Sequence, residues 1–112
     1  MKKVFIFLAE GFEETEAVAT MDVMVRGGLD VTSVSITGDL LVTGANGITV
    51  KANSLFENVN LSSGDMLVLP GGMPGSSNLN EHTGLKNALV QYAARRFSRG
   101  VQAVPLATFG TD

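Results

Sequence analysis

Residues 4–9, VFIFLA, are apolar without interruption and rich in Phe and β-branched side chains. A short unbroken run of this kind predicts a parallel strand covered on both faces. Beyond Gly11 the period changes. Ala17, Met21, Met24 and Val25 recur at i, i+4, i+7 and i+8 while Glu16 and Asp22 fall elsewhere on the wheel, which predicts an amphipathic helix. Gly27 and Gly28 stop it, because glycine accepts the left-handed conformation common at helix C-termini. DVTSVSIT, residues 30–37, then sets Val31, Ser33 and Ser35 against Thr32, Val34 and Ile36, a strand pattern. Strand, helix and strand in this order make a βαβ unit.

The middle of the chain is less regular. Residues 40–54 read as two short strands around Ala45, Asn46 and Gly47, a hairpin signal. Residues 55–65 read as a connector with one helical turn. MLVLP, residues 66–70, is a second buried strand, breaking into the glycine and proline loop PGGMPGSSN at 70–78. A helix is predicted from 80 to 94 with Leu85, Ala88, Leu89 and Tyr92 on one side. No repeat or low-complexity tract interrupts this order. The pattern predicts an α/β domain with a mainly parallel sheet, whose ligands sit outside the carboxyl ends of the strands. The loops at 9–14 and 70–76 both fall there.

Composition narrows the class. The 112 residues predict one domain, and 45% hydrophobic content supplies a core. A net charge of −3 with scattered Lys and Arg argues against a nucleic-acid surface. The longest apolar run is far short of the ~20 residues a membrane helix needs. MKKVFIFLAEG has the lysines of a signal peptide but too short an apolar region before Glu10, so a soluble cytoplasmic protein is expected. The absence of cysteine excludes disulfides and thiolate metal sites, and it removes the commonest strong nucleophile.

The candidate chemistry lies at the two loops. Glu13 and Glu14 open a helix, where negative charge offsets the exposed N–H groups, and that role suffices for both. Glu16 lies one turn in, beside the mouth of the sheet, either as a solvated acid or as a functional one. The loop at 70–78 offers backbone N–H groups with little bulk, suited to an oxyanion or simply to a tight turn. It is not a Walker loop, since no Gly-Lys-Ser/Thr follows, and Gly71, Gly72 and Gly75 do not have dinucleotide spacing. His82, the only histidine, reads as an exposed helix-start residue, and a metal site built on it is not expected. Ser76 and Ser77 lack a nucleophile-elbow context and read as caps of the following helix.

FLAEGFEETEAVATMDVMVRGGLDVTSVSI (7–36) followed by DMLVLPGGMPGSSNLNEHTGLK (65–86) resembles the ThiJ/PfpI superfamily, in its DJ-one-like branch. The resemblance covers roughly residues 1–94 and rests on two separated motifs in the right order. It implies a flavodoxin-like (class I glutamine amidotransferase-like) α/β sandwich, generally a homodimer, without a cofactor. The activities assigned to such proteins are glyoxalase, protein deglycase, protease-like and chaperone functions, on small aldehydes or glycated proteins. By the same resemblance Glu16 matches the glutamate beside the family's nucleophilic cysteine. Gly72 matches the backbone oxyanion donor, with Gly71 and Gly75 shaping the loop. A thiolate attacking an aldehyde carbon needs N–H donors where the oxygen becomes negative.

The resemblance fails at the tail. The family continues into a strand close to Val-Ala-Ala-Ile-Cys-Ala-Ala-Pro, whereas this chain reads RRFSRGVQAVPLATFGTD from Arg95 to Asp112. Ungapped counting puts the absent cysteine near Ala103, and Arg95, Arg96 and Arg99 stand where a buried strand should begin. A frame shift or truncation near residue 95 accounts for this. With suitable codons, the same nucleotides read one base later give Glu-Gly-Leu-Val-Ala-Ala-Cys. The rival is a genuine short form in which VQAVPLATFG still pairs as a strand. Either way the 112 residues are expected to be inactive in the cysteine reaction. The rival readings are a non-catalytic binding or chaperone-like role, or a fragment with no function of its own. An incomplete sandwich is expected to expose apolar surface and a sheet edge.

Overall fold

The computed structural model describes residues 2–71, 75–97 and 103–106. Seven strands and three helices follow one another along them: β1 Lys3–Leu8, α1 Glu14–Arg26, β2 Asp30–Ser35, β3 Leu41–Thr43, β4 Thr49–Lys51, β5 Ser54–Leu55, β6 Met66–Pro70, α2 Gly75–Glu81, α3 Thr83–Phe97 and β7 Ala103–Leu106. Two short 3-10 turns, Phe56–Asn58 and Leu61–Ser63, lie between β5 and β6. The main sheet is parallel in the order β5-β2-β1-β6-β7, and β3 and β4 form a separate antiparallel hairpin.

The central strand explains its own sequence. Val4, Ile6 and Leu8 pack with Phe12, Ala17, Val42, Ala52 and Val68 on one face, where Met21 and Met24 of α1 close over them. Phe5, Phe7 and Ala9 pack with Val34, Leu61, Leu67, Leu79 and Leu85 on the other face, under α2 and α3. Every residue from Val4 to Ala9 is buried to within 2% exposure, so no polar position was available in this strand. Each large side chain so buried contributes about 1.5–3 kcal/mol of hydrophobic stabilisation.

Three sequence expectations need correction. Val25 is 58% exposed rather than part of the inward face of α1. At ~100° per residue it lies about 80° round the helix from Ala17, past the stripe formed by Ala17, Met21 and Met24. The helix expected over 80–94 begins earlier and is two helices, α2 and α3, broken at His82. Ser76 and Ser77 therefore fall inside the first turn of α2 rather than ahead of a helix starting at 80. The C-terminus of α1 is as expected: Gly28, at φ +91°, donates to the Val25 carbonyl while Leu29 donates to that of Met24. The hairpin also falls around 45–47, with Gly47 at φ +83° closing a turn back to the Gly44 carbonyl.

Residues 103–106 pair in parallel with β6 at the sheet's edge. Pro105 stands in this strand where it lacks a donor, a position that an edge tolerates and a central strand does not.

Candidate functional site

The loop between β1 and α1 carries the first motif. Glu13 caps α1, its carboxylate accepting the Glu16 N–H at 2.9 Å. That bond fixes the first turn and so sets where Glu16 points. Glu16, half-buried, accepts the Gly71 N–H on Oε1 at 2.9 Å, and the Gly71 carbonyl accepts the Glu13 N–H at 3.1 Å. The first residue after β6 is thus held on both its polar groups by α1's first turn. This joins the two motifs at the carboxyl ends of adjacent parallel strands.

More bonds close the same seam. The Gly75 N–H donates to the Gly11 carbonyl at 3.0 Å, and Asn78 Nδ2 donates to the Glu10 carbonyl at 2.7 Å. A Cβ on Gly75 would lie 2.7 Å from both Gly11 O and Phe12 Cα, so Gly75 shapes the loop by letting α2 meet the β1–α1 loop backbone to backbone. Gly72 lies outside the described residues. Ala103 opens β7 level with Leu67, and Leu106 is the residue level with Pro70. The strand therefore brings Leu106, not Ala103, to the end of the sheet where Glu16 and Gly71 meet.

Glu14 differs from its neighbours. It is 6% exposed, and its carboxylate accepts three bonds from the hairpin: Asn46 N–H at 2.8 Å, Asn46 Nδ2 at 3.1 Å and Ile48 N–H at 3.2 Å. Burial pushes its pKa up, but its own N–H and those of Ile48 and Asn46, with the Asn46 amide, outweigh this and hold it below 4.5. Offsetting the N–H groups of the helix start is thus only part of what Glu14 does. Nothing local in the sequence marks it, since its partners lie 32 and 34 residues further on.

His82 ends α2 and starts α3. Its Nδ1 accepts the Leu85 N–H at 2.8 Å, and its ring meets Phe56 edge-on at 5.0 Å. It is a helix-start residue as expected, but half-buried rather than exposed. A groove of about 380 Å³ opens beside the seam, lined by Glu10, Ile36, Thr37, Asn78, Glu81 and His82. Glu16 does not line it, so the groove and the Glu16–Gly71 contact are separate features.

With this geometry in view, the comparisons with known proteins are specific. The DJ-1/PfpI family description matches residues 2–104, and the chain belongs to that family. It is 36% identical over 111 residues to protein DJ-1 homolog B of Arabidopsis thaliana, covering 98% of this chain and 25% of that protein. A protein of Pyrococcus abyssi named a deglycase is 34% identical over 99 residues, covering 88% of this chain and 55% of that one. The fold superposes on oxidized DJ-1 of Toxoplasma gondii with a TM-score of 0.81 at 27% identity, over 94% of this chain and 55% of that one. The architecture is therefore the flavodoxin-like one of these proteins, in its N-terminal portion. The chain spans between 25% and 55% of the length of these relatives.

Proposed function

We propose that this chain carries the glutamate and loop half of a cysteine site that acts on reactive carbonyls or their protein adducts. The observation that supports the reading is the bond from Gly71 N–H to Glu16 Oε1, which ties Glu16 to the start of the loop that the resemblance expects to supply oxyanion donors. In this mechanism Glu16 Oε1 is fixed by the Gly71 amide, and the carboxyl so oriented positions the sulfur. The thiolate attacks the aldehyde carbon, and Gly72 N–H in the loop after Gly71 receives the oxygen as it becomes negative. No cofactor enters this scheme, and a cytoplasmic location goes with it. The sequence holds no cysteine, so the 112 residues alone are expected to leave methylglyoxal untouched.

The test is a chimera in which Ala94 is followed by the cysteine-bearing half of a relative. Methylglyoxal consumption is expected, and Glu16→Ala should lower it by roughly 10²-fold or more, the usual effect of losing a positioned acid or base. Turnover that ignores Glu16→Ala would remove the reading.

One observation favours a binding role alongside it. Val18 and Val25 of α1, which lie ~20° apart on the helix wheel, and Ile48 of the hairpin turn are 43–58% exposed. A homodimer, or capture of an unfolded client, would cover that face. Suppression of client aggregation by the 112-residue chain, measured beside the carbonyl turnover of the chimera, separates the two functions.

A further inference from the structure

We propose that Glu14 is a positioning residue that locks the β3–β4 hairpin to the β1–α1 loop and, through that loop, holds Gly71 against Glu16. The inference rests on the reading of Glu16 and Gly71 as the site only in naming what is positioned.

Three observations carry it. The first is the Glu14 carboxylate itself. It is buried, and its three hairpin donors are all N–H groups from Asn46 and Ile48. Among the described residues no cation pairs with it. A buried carboxylate whose charge is met by these donors and its own N–H holds the hairpin in place, because releasing those donors would leave it desolvated and under-paired.

The second is the space made for it. A Cβ on Gly44 would fall 2.3–2.7 Å from Glu14's Cγ, Cδ and Oε2, so the turn is shaped around this side chain. The third is the continuity of the backbone. The hairpin also grips the loop at Gly11 N–H to Thr43 O (2.9 Å) and at Ala45 N–H to Phe12 O (2.8 Å). The same stretch grips the other side at Gly75 N–H to Gly11 O, Glu13 N–H to Gly71 O and Gly71 N–H to Glu16 Oε1. Residues 11–16 are therefore a short bar clamped by the hairpin on one side and by Gly71 and Gly75 on the other. Glu14 is the buried side chain within the bar that fastens the hairpin end. A change at the hairpin, including contact with a partner, reaches Gly71 through it.

The experiment is residue-resolved amide hydrogen exchange on the 112-residue chain, comparing wild type with Glu14→Gln at pH 7. The variant should lower the protection of Asn46, Ile48 and Gly71 together by about ten-fold or more, as local opening does, while Phe7 in the core is unchanged. Loss at Asn46 and Ile48 with Gly71 unchanged overturns the proposal, since the latch is then local. So does no change anywhere. If Glu14→Gln does not fold, the wild type still decides. On acidification Asn46, Ile48 and Gly71 should lose protection with one shared midpoint below pH 4.5, the side to which Glu14 is shifted. A midpoint at Gly71 separate from that of the hairpin overturns it. No substrate enters either measurement, so failure of the carbonyl chemistry leaves this result readable.

Discussion

Among side chains, the contrast between Glu13, Glu14 and Glu16 is one of partners rather than type. Glu13 caps, Glu16 meets Gly71, and Glu14 is folded under the hairpin. Gly44→Ala attacks the Glu14 arrangement from the opposite side and should cost about 1–3 kcal/mol, the range for forcing a methyl into filled space. Urea unfolding measures it. In a Glu14→Ala background, where the space is vacated, most of that cost should vanish. The pH dependence has a definite sign. Glu14's folded pKa is lowered, so its contribution is complete above its ordinary 4.5 and is lost as pH falls through the lower folded value. The stability difference between wild type and Glu14→Gln should therefore be constant at neutral pH and shrink in acid. A difference that grows in acid would refute the assignment. Glu16's place was legible because it belongs to a motif. That of Glu14 was not, because a sequence shows an acid at a helix start and not the hairpin that returns to cover it.

Among elements, β1 and β6 were readable because burial on both faces leaves a short unbroken apolar run, and its shortness, its β-branched or Phe content and the glycines that follow favour a strand over a buried helix. The two-residue β5 was not readable, since it exists only through its register with Val34 and Ser35 of β2. The break between α2 and α3 escaped for a related reason. No proline stands at the break, and Gly84, just past it, leaves room for the His82 and Phe56 rings. The break comes from His82 turning its Nδ1 onto the Leu85 N–H and its ring against Phe56. His82→Ala should thus lose a cap and a ring contact, lowering stability by about 1 kcal/mol on the scale of other N-cap losses. His82→Asn, a strong cap, should recover much of it. Equal losses from both variants in thermal unfolding would mean that the ring contact, not the cap, holds the joint.

For the molecule as a whole, the question is which surface governs association. Among the described residues, α1 with the hairpin turn on one side of the sheet and α3 on the other expose large apolar side chains. Over α1, Val18 and Ile48 flank a cavity of about 540 Å³ that Thr15, Ala19 and Asp22 also line. This concave face is stiffened by the bonds from Glu14 to the hairpin turn, so a partner meets a surface already in place and little ordering entropy opposes contact. The α1 and hairpin face should therefore win. The 112-residue chain is expected to self-associate, with sedimentation coefficients that rise with concentration. Val18→Asp combined with Ile48→Asp should shift it to monomer, because two carboxylates would be desolvated at each contact. Val90, 70% exposed on α3, provides the comparison. Val90→Asp adds one such charge on the opposite side of the sheet and should leave association unchanged. Dispersal by Val90→Asp and not by the double variant would move the contact to the α3 side, and the α1 face would then be only an uncovered part of a larger sandwich.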